Sequence, residues 1–312
     1  KIIRNRGGLH NRITRKIKLT PFQLNEVKDF FNYKGLNLPE IEVLKIYMAL
    51  GGIAEYLEHV QNGDSSVTAI DRICFQKGAQ LEYEFEEVFK SLFEEGSYHE
   101  QIIQSLSKGP KKGMMRDHIL RDQNLSSGGQ FSKSMDELIE SGFVEKYQAY
   151  TDKRKTTLYR IFDEFCLFHL QFIEPFVGNS WKQLFTKKVY ETWCGYAFEM
   201  LCYKHIENIK KGLRCDQINS KNYSWSNSKA QVDLVIDRDD NIVNLCEIKF
   251  YNGPYSVDAN YANNLRNKEV QFKTSTKTRK GINTIMLTTW GIEGKHAKGL
   301  VTNSLTIDCL FS

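Results

Sequence analysis

The chain has 312 residues, 41% of them hydrophobic, and a formal net charge of +5, enough apolar content for two or three domains with their own cores. No run approaches the roughly 18 apolar residues of a membrane-spanning helix and no secretory signal is visible, so a cytoplasmic protein without a membrane partner is expected. Seven cysteines, at 74, 166, 194, 202, 215, 246 and 309, are odd in number and form no CxxC pair, which favours buried thiols in a reducing compartment over disulfides or structural zinc.

The chain opens at Lys1 inside a pattern, KIIRNRGGLHNRITRKIKL, and reads as a piece of a longer or processed polypeptide. Residues 1–18 hold seven Lys/Arg and no acid, a face suited to phosphate-rich partners or to solvent alone. Residues 13–19 alternate like a strand, and Pro21 stops it. FQLNEVKDFFNYKG and LPEIEVLKIYMALGGIAEYLEHV follow with apolar residues three and four apart, a small helical bundle broken at Gly51-Gly52. Residues 80–100 hold seven Glu and one Lys.

Three short helices come next, in YHEQIIQSLSKG, GMMRDHILRDQ and SGGQFSKSMDELIESG, then two strand-like runs, FVEKYQAY and TTLYRIF, joined by the basic turn TDKRK. Three helices and a basic-tipped hairpin describe a winged helix, with Ser126 to Gly142 as its recognition helix; such units bind DNA or only pack against partners. EFCLFHLQFIEP and Asn179 to Phe185 form a connector. From about 186 a helix (VYETWCGYAFEMLCYKHIENI), strands near 223–226, 231–236 and 242–249, a basic crossover helix at 260–280, the strand INTIMLTTWG and a last strand near SLTIDCLF describe an α/β domain. Residues 260–300 carry eight Lys/Arg and two acids.

In QVDLVIDRDDNIVNLCEIKF two apolar runs carry charge. Side chains alternate along a strand, so Glu247 and Lys249 share a face, and Asp233 lies beside them if 231–236 and 242–249 pair as a hairpin. Two carboxylates at one point can hold Mg²⁺ or Mn²⁺, and an ammonium there can stabilise phosphoryl charge. Glu199 interrupts the apolar surface of the helix before them, a costly place for an unpaired carboxylate. The competing reading is an exposed Glu247–Lys249 pair with Asp233 as a turn-side acid, worth little energetically. The seven histidines show no HxxxH or HxH spacing, and no GxSxG or dinucleotide fingerprint occurs.

The pattern Glu199, Asp233, Glu247-Ile248-Lys249 resembles the PD-(D/E)XK nuclease superfamily. That resemblance implies a mixed central sheet between helices, Asp233 and Glu247 as metal ligands, Lys249 as the catalytic lysine, Glu199 as an accessory ligand and Gln271 as a polar residue of the following helix. Val232 stands where the pattern has proline. A wider stretch, from GGLHNRITRKIKLTPFQLNEVKDFF through YMALGGIAEYL and LYRIFDEFCLFHLQFIEP to the ExK region, looks like the C-terminal portion of a prokaryotic AAA-type ATPase family. It implies a multidomain α+β chain: 1–19 the end of an ATPase core, 20–78 a helical lid, 79–165 a winged helix, 166–185 a connector and 186–312 a restriction-endonuclease-like domain. No GxxxxGK[ST] occurs. ATP would therefore be bound only in a full-length protein with an upstream phosphate loop, where Arg12 is the residue of this chain best suited to approach a nucleotide phosphate, the alternative being a surface arginine on a basic strand. The expectation is a Mg²⁺- or Mn²⁺-dependent nuclease on nucleic acid, DNA foremost, attached to an ATPase core, with oligomerisation left open. The alternatives are a catalytically silent module that binds nucleic acid or protein, and a defence component in which the ATPase senses and the nuclease responds.

Overall fold

The computed structural model describes residues 19–93, 96–110, 112–126, 128–150, 156–176 and 178–312. Arg12, the expected strand at 13–19 except its last residue, and the hairpin tip TDKRK lie outside the described residues.

Helix α1 (Leu24–Tyr33) buries Leu24, Val27 and Phe31 on one stripe and starts with a Gln23–Glu26 capping box. Helix α2 (Glu40–Leu50) is buried on most sides from Val43 to Leu50, as expected of a helix apolar all round. Gly51 ends it at φ +69°. A Cβ on Gly52 would run into the Phe22 backbone, because Phe22 N–H donates to the Gly52 carbonyl at 2.8 Å. Helices α3 (Ala54–Glu58) and α4 (Ser66–Ile70) follow, the latter widening into a π-helical turn at Asp71–Phe75.

Helices α5 (Glu84–Leu92), α6 (Gly96–Lys108), α7 (Arg116–Asp122) and α8 (Gly129–Glu140) precede the hairpin of β1 (Val144–Ala149) and β2 (Thr156–Ile161). The strands pair antiparallel from Val144↔Ile161 to Ala149↔Thr156, and Met114, between α6 and α7, adds a bridge to Tyr159. Phe89, Ile102, Phe131, Leu138 and Ile161 share one core here. Helix α9 (Glu164–Phe168), capped by Asp163, runs on through a π-helical turn, and α10 (Trp181–Leu184) follows.

The last part contains α11 (Lys188–Lys204), α12 (Ile206–Gly212), β3 (Ser220–Ser226), β4 (Gln231–Arg238), β5 (Ile242–Lys249), β6 (Tyr255–Ser256), α13 (Ala259–Thr276), β7 (Gly281–Thr288), β8 (Ile292–Glu293) and β9 (Asn303–Leu305). The expected helix over 189–209 is split at His205. That ring donates from Nδ1 to the Leu201 carbonyl and accepts the Leu24 N–H at Nε2, 3.0 Å. Burial holds it below the usual histidine range, in keeping with this neutral form. The expected last strand near SLTIDCLF is strand only at β9. Ile307–Phe311 turns helically, since Ile307 and Leu310, three apart, both point inward.

The main sheet is mixed, in the order β2-β1-β3-β4-β5-β7-β9. Strands β4 and β5 form the expected antiparallel hairpin, and β5 runs parallel to β7. Helix α11 covers one face, where Phe198 and Leu201 meet Leu234, Cys246 and Ile248. Helix α13 covers the other, with Phe272 against Val235 and Leu245. The first core also contains Leu24, Leu44 and Ile73, so the N-terminal helices and the last part pack together. No helix among the described residues is long and apolar enough to cross a membrane.

Candidate functional site

The site begins with a fault in the sheet. Between Tyr223↔Val235 and Trp225↔Val232, Ser224 alone faces two residues of β4, Asp233 and Leu234, which is a β-bulge. The β4–β5 ladder ends at Leu234↔Cys246, one pair before Asp233 would meet Glu247. The Asp233 carboxylate takes the Ile248 N–H instead, at 2.9 Å. Its backbone carbonyl accepts the Tyr203 hydroxyl at 2.6 Å, so α11 fixes the splayed strand. Bulges re-aim side chains; this one brings Asp233 to the C-terminal end of β5.

Strand alternation puts Glu247 and Lys249 on the α13 face. The Lys249 ammonium lies 3.3 Å from Asp233 Oδ2 and 3.6 Å from Glu247 Oε2. Glu247 is 2% exposed. Its Oε2 also accepts Lys268 Nζ at 2.5 Å and the Tyr261 hydroxyl at 3.3 Å, whereas Oε1 is buried without a hydrogen-bond partner. Burial, then the Asp233 charge, pushes the Glu247 carboxyl up, against the pull of Lys268 and Lys249. Burial would lower Lys249, but the Asp233, Glu247 and Glu199 charges more than offset it and hold the lysine above its usual range. The result is a protonated ammonium shared by two carboxylates, with a second ammonium behind it.

Asp233, Glu247 and Lys249 are thus brought together. Glu199, on α11, lines a cleft of about 250 Å³ with Tyr203, four residues on, and with Asp233. Gln271 accepts a hydrogen bond from Asn227, in the β3–β4 turn, at 3.3 Å, and is held there. Sequence reasoning passed over Lys268 and Tyr261. Their signal is a helical stripe: Tyr261, Leu265, Lys268 and Phe272 recur at offsets of 4, 7 and 11, with Leu265 and Phe272 buried, so the lysine among them faces the sheet.

Among the described residues, no three His, Cys, Asp or Glu side chains gather closely enough to hold a metal ion by themselves. The pair Asp233–Glu247 still suits a hard divalent cation: both offer carboxylate oxygens, they already share one cation, and Glu247 Oε1 lacks a partner. Magnesium commonly takes only one or two carboxylates, with water and phosphate oxygens completing its shell. Comparison with protein families, with curated proteins and with solved structures gives no match to this chain.

Proposed function

We propose that this chain hydrolyses nucleic-acid phosphodiesters at Asp233, Glu247 and Lys249, as the C-terminal part of an AAA-type ATPase whose last domain is a PD-(D/E)XK nuclease. The observation that carries the reading is the convergence of both carboxylates on the Lys249 ammonium, at 3.3 and 3.6 Å, where β4 is splayed from β5. Asp233 and Glu247 would hold Mg²⁺ or Mn²⁺, with Glu199 reaching it from α11 as an accessory. When bound, the ion would polarise a phosphoryl oxygen and acidify a water. In the reaction the water gives one proton to solvent as its oxygen bonds to phosphorus, the bond to one sugar oxygen breaks, and that oxygen leaves with the electron pair and takes up a proton from solvent. Lys249, kept protonated by its neighbours, stabilises the negative charge that gathers on the phosphoryl oxygens. Lys268 neutralises Glu247 from the protein side. ATP hydrolysis belongs to this reading only where a phosphate loop lies upstream in the same polypeptide.

A second reading, a silent module that binds nucleic acid or a protein and regulates the ATPase, is favoured by one observation. Lys268 already pairs with Glu247, so two carboxylates and two ammoniums balance without a metal. Helices α6 to α8 with the hairpin suit a winged helix in either reading. The exposed side chains of α8 are Gln130, Lys133, Asp136 and Glu140, one cation against two acids.

The test is cleavage of single-stranded, linear duplex and supercoiled DNA in Mn²⁺ or Mg²⁺ against EDTA. Asp233→Ala, Glu247→Ala and Lys249→Ala should each lower the rate by about 100-fold or more while keeping the circular-dichroism spectrum. Undiminished cutting in all three would overturn the assignment; a folded wild type that never cuts would favour the silent module.

A further inference from the structure

Two hollows adjoin where β1 meets β3. One, about 300 Å³, is walled by Met115, His118, Tyr150 and Leu158 among others. The second is the cleft of about 250 Å³ that contains Tyr147, Arg160, Glu199, Tyr203 and Asp233. Pro110, Lys112, Ser224 and Gln231 line both, so the two form one trough along the seam. The trough exists because the seam is barely closed. Among the described residues its ladder is one residue pair, Ala149↔Ser224, with Tyr150 N–H donating to the Ser224 carbonyl at 2.9 Å and Lys112 Nζ reaching Ser226 Oγ at 3.4 Å.

The wall is rigid where it nears Asp233. The Arg160 guanidinium sits over the rings of Tyr203 and Tyr147, 4.1 and 4.5 Å from their centres, and is bonded to Glu145 at 2.6 and 2.8 Å. Charge is graded along the trough. Lys112 and His118 are exposed on its lip, Ser224 and Gln231 lie between, and the acids Glu199 and Asp233 stand at one end. An exposed lysine on the lip, half-buried tyrosines and a hydrogen-bonding floor match an anionic chain with flat side groups. Each hollow has room for about one nucleotide, and neither admits a duplex.

We propose that this seam binds one extended single strand of nucleic acid, its phosphates at Lys112 and its bases against Tyr147 and Tyr150, and leads it to Asp233. Delivery to Asp233 rests on the nuclease reading; binding of the strand does not. The test uses the whole chain in EDTA with a short fluorescein-labelled oligothymidylate, read by anisotropy, against the same oligonucleotide in duplex form. The single strand should bind about tenfold tighter than the duplex. Lys112→Glu should weaken it by about tenfold and flatten the slope of log affinity against log salt by about 0.7 or more. Gln231→Glu, which adds a charge to both hollows, should weaken it several-fold, and Lys273→Glu, on the exposed face of α13, should leave it unchanged. Equal or tighter duplex binding, or wild-type affinity in both seam variants, overturns the proposal. Strand binding that both seam variants weaken, with no Mn²⁺-dependent cutting by the wild type, upholds the seam and overturns the nuclease reading. Cutting and binding that both seam variants leave unchanged overturn the seam alone.

Discussion

Glu247 holds one oxygen in a cluster of donors and the other in none. Lys268, Lys249 and Tyr261 crowd Oε2, while Oε1 is buried and unpartnered. Removing Lys268 strips a nearly buried carboxylate of its shortest contact. Lys268→Met should therefore cost about 2–3 kcal/mol in urea unfolding at pH 7, less than a fully buried pair because the Lys268 side chain is 16% exposed. Combining it with Glu247→Gln should recover much of that loss; additive costs would show that the two do not couple. At this scale the meeting of Asp233, Glu247 and Lys249 was legible, because two neighbouring strands of a hairpin bring charges in their apolar runs close together. Lys268 was not, since a lysine in a basic helix looks like a solvated one, and only its register with Leu265 and Phe272 sets it apart. The polar residue expected from that helix was Gln271, three positions on, which turns to Asn227 instead.

The elements were largely legible where periodicity was strong. Helices α1, α2 and α6 to α8 and strands β4, β5 and β7 lie where apolar spacing placed them. The misses have local causes: a histidine satisfied by two backbone groups breaks the α11 pattern, and a short apolar tail reads as a strand when two inward residues sit three apart. Gly51-Gly52 was read only as a break, but its two glycines do different work. Gly51 adopts φ +69° and ψ −161°, a region left almost entirely to glycine that costs an L-residue about 1–3 kcal/mol. Gly52 lies so close to Phe22 that any Cβ meets backbone. Gly52→Ala should lose about 3 kcal/mol or more, the range of overpacked or displaced cores, and more than Gly51→Ala does. Equal midpoints for the two variants in urea would show that the loop before α1 yields easily.

Across the whole molecule, the least legible feature is that one sheet runs through both halves. The pair Ala149↔Ser224 joins residues 75 positions apart in sequence, and no local pattern announces a parallel contact of that reach. The shared core was hidden for the same reason: the apolar stripe of a helix says that it packs, not against what. Leu24, Leu44 and Ile73 meet Phe198, Ile248 and Leu310 in one cluster, which ties the helices from α1 onward to the last part while the hairpin part keeps a core of its own.

That arrangement turns a single amide into a clock. Tyr150 N–H closes the seam on the Ser224 carbonyl, beyond the last rung of β1. In heavy water its deuteration should run far ahead of the amides of β5 and β7, which are locked inside an eight-pair parallel ladder. The rate at Tyr150 against its own intrinsic exchange rate gives the free energy of opening at the seam. A bound oligonucleotide that slowed Tyr150 alone would mark the seam as the hinge at which this chain breathes.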